Sequence, residues 1–326
     1  MAFVDGHGLS YADPEPDATI STSEPMQAFE RFRRRLGAAR RAAIKSLLRQ
    51  ERFHNREGCK EYDFVLTEGR ARKGVSLLVR AKNEEQKIAH CLRSVLSLVD
   101  EVVFIDNLSK DRTRSVVESL KEREREGRKI RILQYPFQLA RFGPEHDRTP
   151  ENSIHSAVYY SNWSISHCSY QYVCKWDGDM VLIREARAQF EAFLAQVQEG
   201  PKKCWTFPGQ TVYRDLKGDY YLAVGEVNQE IMLFPYGYNP RFYKVAHWEC
   251  LQGRPPVPVD GFEPVTFLEL KFAEEDEFAH WSTIDWPSHR KQREWANFHA
   301  VRAGNIDPSR FVRLSSSFLD DQIAAQ

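Results

Sequence analysis

The chain has 326 residues, 42% of them hydrophobic and 28% charged, with 46 Lys plus Arg against 46 Asp plus Glu. That is the composition of a globular protein with room for one large catalytic domain plus extensions, and its balanced charge excludes a general bias toward nucleic acid. No apolar run approaches the roughly 18 residues that span a bilayer, so no transmembrane anchor is expected.

Residues 1–25 include Asp5, Asp13, Glu15, Asp17 and Glu24, no Lys or Arg, and Pro14, Pro16 and Pro25. They read as a flexible arm without the basic start and apolar stretch of a secretory signal, and a cytoplasmic location is expected. From Met26 to about Phe53 the pattern changes. Phe29, Phe32, Leu36, Ala39, Ala43, Leu47 and Leu48 recur at three- and four-residue spacing, the stripe of an amphipathic helix. The other face carries Arg31, Arg33, Arg34, Arg35, Arg40, Arg41, Lys45, Arg49 and Arg52. Residues 26–73 therefore read as a basic helical extension. It either packs its stripe on the following domain or makes a peripheral contact with an anionic membrane surface through residues 26–53.

The core pattern begins at Gly74. Val75–Val79 is a short apolar run, hence a buried strand, followed by polar residues Arg80 to Glu85 and a helix carrying Ile88, Cys91, Leu92, Val95 and Leu98. Val102–Ile105 is a second strand ending in Asp106–Asp111, then a helix with Val116, Val117 and Leu120, then a third strand, Ile130–Leu133. Alternation of this kind predicts an α/β fold with a doubly wound, mostly parallel sheet and right-handed crossovers. Asn152 to about Ser166 suits another helix, and Tyr172–Trp176 another strand running into Asp177-Gly178-Asp179. The six cysteines include no C-x-x-C pair, which favours buried, reduced thiols over a zinc site or a disulfide framework.

In open parallel sheets ligands bind beyond the carboxyl ends of the strands, where strand order reverses. Three polar clusters fall at such ends: Arg80 to Glu84, Asp106 to Asp111, and Asp177 to Asp179. Two carboxylates separated by one small residue can present oxygens together to Mn2+ or Mg2+, which would neutralise a departing diphosphate. The plainer alternative is a tight turn with Gly178 at a special backbone angle.

The stretches Val75–Glu84, Cys91–Ser94 and Asp100–Thr113 resemble the N-terminal half of family 2 glycosyltransferases, which have the GT-A fold, a Rossmann-like nucleotide-binding fold. Asp177-Gly178-Asp179 resembles that family's metal motif. The resemblance implies a transferase that moves a sugar from a nucleotide-sugar donor to a hydroxyl of a glycan or lipid-linked acceptor, with inversion. It implies a domain over residues 74–285, with a C-terminal helix and tail over 286–326. On the same ground Arg80, Ala81, Asn83, Glu84 and Asp106 would line the base and ribose, Asp177 would contact ribose or sugar, and Asp177 and Asp179 would face the metal and diphosphate.

Glu230–Phe234 and Val245–Glu249 are similar to an arrangement in bacterial members that build surface polysaccharide. This makes Glu249 the first candidate for general base, although Trp248 intervenes after His247, and Met232 and Pro235 stand where basic residues are common. Glu230 is the second candidate, with Asp215, Asp219 and Asp260 also open. Phe278–Ser282 is similar to a segment of the same relatives in which His280 would be a third metal ligand or contact the diphosphate; the alternative is a packing histidine. Trp286, Arg290, Arg293, Trp295 and Phe298 read as a helix over the site, and Trp281 and Trp286 as an acceptor groove or as core. The long loop Tyr135–Pro150 suggests donor or acceptor contact, with Arg141 or Arg148 facing phosphate.

Two other readings compete. A sugar-phosphate nucleotidyltransferase would need a Gly-rich phosphate loop after the first strand, and Arg80–Glu84 contains no glycine. A non-catalytic nucleotide- or glycan-binding protein, or a membrane-surface protein of the same fold, would bind without donor turnover.

Overall fold

Gln50–Phe53 (β1) and Phe64–Thr67 (β2) pair antiparallel, with Phe53 stacked on Phe64 at 4.5 Å. The computed structural model describes residues 50–67, 71–274, 276–282 and 288–323. The segment read as a flexible arm, most of the basic residues read as a helix and Trp286 lie outside the described residues. The end of the stretch read as helix, residues 50–53, is extended chain: an aromatic pair and the Arg241 guanidinium 4.9 Å from the Phe53 ring hold it as a strand.

The predicted alternation then follows. Arg72–Ala81 (β3), Ile88–Val95 (α1), Glu101–Asp106 (β4), Thr113–Arg123 (α2) and Ile130–Gln134 (β5) form successive strand–helix–strand units. After a loop containing Pro144–Arg148 (α3), Ala157–Ser166 (α4) leads into Tyr170–Asp177 (β6). These four strands lie parallel in the order β6-β3-β4-β5. Their apolar runs are continuous because both faces are covered. Leu77, Val79, Val102 and Phe104 pack with Ile88, Leu92 and Val117, whereas Leu78, Val103 and Ile105 pack with Tyr159, Tyr160 and Trp163.

Beyond β6 the mostly parallel sheet continues into a mixed region. Met180–Leu182 (β7) and Arg187–Val197 (α5) precede Cys204–Arg214 (β8), Tyr220–Ala223 (β9) and Asn228–Pro235 (β10). Strand β10 runs antiparallel to both β6 and β8, and β9 antiparallel to β8. The cause is a hairpin where a crossover helix would be required. The Asp215 carboxylate accepts from the Lys217 and Asp219 amides at 2.9 Å, and Gly218 takes φ 93°, so the chain reverses at once. Arg241–Val245 (β11) and Trp248–Gln252 (β12) form a second hairpin against α4. Val259–Gly261 (β13) and Phe267–Phe272 (β14) run parallel to β8. His289–Arg302 (α6), Phe311–Arg313 (β15) and Phe318–Ile323 (α7) complete the described chain. All six cysteines are unpaired, four of them buried, and no helix of the described residues is long and apolar enough to cross a membrane.

Candidate active site at the carboxyl edge of the sheet

Strand order reverses between β3 and β6: the chain steps outward from β3 to β5, then returns to the other side of β3. At that seam Arg80 is registered with Asp177 and Ala81 with Asp106. A cavity of about 740 Å³ opens there, lined by Arg80 to Glu84, Asp177 to Met180, Glu230, Glu249 and His280 among others. Asp106 lies just behind the lining, buried, with Oδ1 lacking a hydrogen-bond partner among the described residues.

The first two polar clusters are locked together. The Asn83 amide donates to Ser109 Oγ at 3.0 Å, the Lys110 amide to Asn83 Oδ1 at 2.9 Å, and the Glu84 amide to Thr113 Oγ1 at 2.6 Å. Asn83 and Leu108 both adopt left-handed backbone angles, φ 59° and 57°. Asn tolerates this region and Leu does not, so the interlocking bonds hold Leu108 in a strained turn beside the cavity.

The turn Asp177-Gly178-Asp179 is clamped by Trp176 Nε1, which donates to the Met180 carbonyl at 3.0 Å. Gly178 does not sit at a left-handed angle. Its requirement is space: a Cβ there would stand 3.1 Å from Glu84 Cγ and 3.2 Å from Ala81 Cβ. The carboxylate of Asp179 faces an ammonium. Lys271 Nζ lies 2.7 Å from Asp179 Oδ2, 2.9 Å from Glu269 Oε1 and 3.4 Å from Glu277 Oε1. From there an alternating chain of charges runs both ways around the cavity floor. One arm passes through Glu277 to Lys87, which bridges to Glu84 at 2.9 Å. The other passes through Glu269 to Arg290, Glu230 and Lys175, which ends 3.5 Å from Asp177 Oδ2.

This geometry differs from the metal-ligand set expected of Asp177, Asp179 and His280. Among the described residues no three His, Cys, Asp or Glu side chains are grouped to hold a metal ion. His280 opens onto the cavity, and its backbone carbonyl accepts from the Phe142 amide.

The two candidate bases have different surroundings. Glu230 is gripped by Lys175 at 3.0 Å and by Arg290, and the Lys175 ammonium first, then Arg290, outweigh burial and hold its pKa down to about 2. Glu249 meets Arg80 at 3.7 Å and accepts from Ser161 Oγ at 3.4 Å. The Arg80 guanidinium itself is held between the Tyr160 and Phe242 rings. Asp215 and Asp219 sit in the β8–β9 hairpin and Asp260 pairs with Lys203; none lines the cavity. His247 occupies the β11–β12 turn and bonds Asp147, while its neighbours Trp248 and Glu249 both line the cavity. From the long loop, Gln138 to Phe142 reach the lining; Arg141 does so while paired to Glu145, and Arg148 does not. Trp281 lines the cavity and also packs in a cluster with Phe278 and Phe298. Arg290 and Lys291, at the start of α6, close the floor.

Lys87, Lys175, Glu269, Lys271 and Glu277 were not singled out from sequence. The signal for two of them is Phe267-Leu268-Glu269-Leu270-Lys271-Phe272, where opposite charges two residues apart on a strand share one face.

Residues 76–141, from β3 to the loop beyond β5, match the model described as "Glycosyl transferase family 2", so over that segment the resemblance to this family is shown. No curated protein matches the chain. Among solved structures, S. aureus TarS 1-349 is similar at 14% identity and TM-score 0.35, covering 77% of this chain and 69% of that one. Glucosyl-3-phosphoglycerate synthase from Mycobacterium tuberculosis, in complex with Mn2+, uridine diphosphate and phosphoglyceric acid, is similar at 18% identity and TM-score 0.28, over 44% of each chain. A mycobacterial protein is similar at 18% identity and TM-score 0.28, and this chain spans 42% of its length. These likenesses are distant and assign no activity here.

Proposed function

We propose that this protein is a glycosyltransferase that moves a sugar from a nucleotide-sugar donor to a hydroxyl of a glycan or lipid-linked acceptor. One observation carries the reading: a single cavity at the strand-order switch gathers Arg80 to Glu84, Asp177 to Asp179 and the carboxylate of Glu249, which lies 3.7 Å from Arg80. The match over residues 76–141 supports it. Asp106, expected at the nucleoside, stands behind the lining with its buried Oδ1 unpartnered among the described residues. The many basic residues between positions 26 and 53 would suit a lipid-linked acceptor at a membrane surface.

In the proposed step the acceptor oxygen attacks the anomeric carbon as that carbon's bond to the diphosphate oxygen breaks, a single displacement that inverts configuration. Glu249 takes the hydroxyl proton, and the nucleoside diphosphate leaves. Glu249 is preferred to Glu230 because a carboxylate held near 2 has little affinity for a proton in the transition state. Asp179 is engaged by Lys271, and no step of the proposal uses a divalent ion.

Incubation of the full chain with UDP-, GDP- and dTDP-sugars, with detection of released nucleoside diphosphate, tests the proposal. Release from one donor supports it. Absence of release, together with no calorimetric binding of UDP, GDP or dTDP with or without Mn2+, overturns it.

A further inference from the structure

We propose that Lys271 is a resident cation standing where a divalent metal would stand, so that this site takes a nucleoside diphosphate without a metal ion. The inference rests on the transferase reading above and deepens it.

Three carboxylate oxygens, from Asp179, Glu269 and Glu277, surround Lys271 Nζ at 2.7, 2.9 and 3.4 Å. They come from the β6–β7 turn, β14 and the segment before α6, three separate parts of the chain converging on one positive charge. These are ammonium distances; Mg2+ takes oxygens at about 2.1 Å. The position is built rather than incidental. Lys271 is buried, it reaches the cavity lining, and the alternation along β14 puts it on the same face as Glu269. The three carboxylates close around the ammonium from separate parts of the chain and supply its counter-charge. A metal at Asp179 would have to expel this ammonium, leaving an unpaired buried charge.

The rest of the floor fits the same design. Lys87 repeats the arrangement one carboxylate away, bridging Glu277 and Glu84 at 2.9 Å each. Burial is the main influence on Glu84 and lifts its pKa. At the rim, Lys82 has only Gln138 as a bonded neighbour, at 3.4 Å, and no carboxylate partner among the described residues, so it is available to an incoming phosphate. Phosphate oxygens beside Lys271, Lys87 and Lys82 would receive the charge that develops on the leaving group. The lining still carries many acidic side chains, Asp177, Asp179, Glu230, Glu269 and Glu277 among them. Mn2+ is therefore a serious competitor for the site.

Calorimetric titration of the full chain with UDP, GDP and dTDP, once in EDTA and once in Mn2+, decides between them. The inference expects at least one nucleotide to bind in EDTA with a Kd within about threefold of that in Mn2+. It expects Lys271→Met to weaken that binding in EDTA by about tenfold or more, with Lys271→Arg retaining most of it. Binding that requires Mn2+, or a Lys271→Met protein that binds as tightly as the parent in EDTA, overturns the inference and leaves the transferase reading intact. No binding in either condition overturns both. Because Lys271→Met can lose its fold, Mn2+ paramagnetic resonance on the unsubstituted chain with saturating nucleotide gives an independent result. Free Mn2+ alone supports the resident ammonium, and one bound Mn2+ per chain overturns it.

Discussion

Strands β3, β4 and β6 bring most of their polar groups to the cavity at or past their carboxyl ends, whereas β10, β12 and β14 carry theirs within the strands, as Glu230, Glu249, Glu269 and Lys271. The difference follows from burial. A parallel strand covered on both faces has little place for a charge until it emerges from the sheet, so its chemistry collects in the loops beyond it. The mixed half borders the cavity with one face, and charges there can sit mid-strand provided another element supplies a counter-charge. One half offers interlocked loops and the other offers paired side chains. Under the proposed function a division of labour would follow, with the first half holding the donor and the second handling protons and charge.

The sharpest way to break that division is Glu249→Gln. With the carboxylate gone but its shape kept, turnover should fall by about 10²- to 10⁴-fold. Nucleoside diphosphate affinity, measured by calorimetry, should stay within about twofold of the parent. If affinity falls in step with turnover, Glu249 belongs to donor binding and the two halves are not separable. Asp260→Asn is the control. Its partner Lys203 lies outside the cavity, and both turnover and stability should be unchanged within about 0.5 kcal/mol.

The same contrast explains what could be read from the sequence. Val75–Val79, Val102–Ile105 and Tyr172–Trp176 are runs whose burial on both faces dictates their composition, and a polar cluster at each end marks where the chain emerges. The three clusters and their convergence were therefore legible. Lys271 was not, because its meaning depends on Asp179, 92 residues away in the chain, and on Glu277 from a third segment. An isolated buried lysine is costly, and only the assembled partners make it stable. The resemblance ranked Glu249 ahead of Glu230, but the physical difference between their surroundings was hidden for the same reason. Nothing local to Glu230 announces that Lys175 and Arg290 will neutralise it. Residues 50–53 were misread because the helical stripe seemed to continue through Phe53, whereas the ring's partner is Phe64 across a hairpin.

A smaller effect sharpens the structural side of the comparison. His167, at the end of α4 in the parallel half, packs edge-on against Trp163 at 4.3 Å, and its Nε2 is buried without a partner. Burial first, and then the Arg131 guanidinium, push its pKa down to about 4. The unfolded chain takes a proton on this ring near 6.5, and the folded chain not until about 4. Stability from the neutral ring is therefore complete above pH 6.5 and is lost as pH falls toward 4, by at most about 3 kcal/mol. Urea unfolding from pH 7.5 to 4.5 should show this loss, and His167→Leu should reduce it while leaving turnover at pH 7.5 unaltered. An equally steep decline in the variant would assign the acid sensitivity to other groups.

Gly178→Ala probes the seam where the halves meet, and its expected effect is the smallest. The added methyl would press on Glu84 Cγ and Ala81 Cβ at 3.1 and 3.2 Å. Glu84 is tethered to Lys87 and cannot swing freely, so a few tenths of an ångström must be taken up by the turn that carries Asp177 and Asp179. The cost in stability should be about 1 kcal/mol, seen as a lowered urea midpoint without a change in slope. Because the displaced turn belongs to the donor side, the activity change should appear mainly in the KM for the donor, with kcat less affected. A fall in kcat at constant KM would mean that the seam transmits to Glu249, and that donor holding and proton transfer are coupled through Arg80, which is registered with Asp177 and lies beside Glu249.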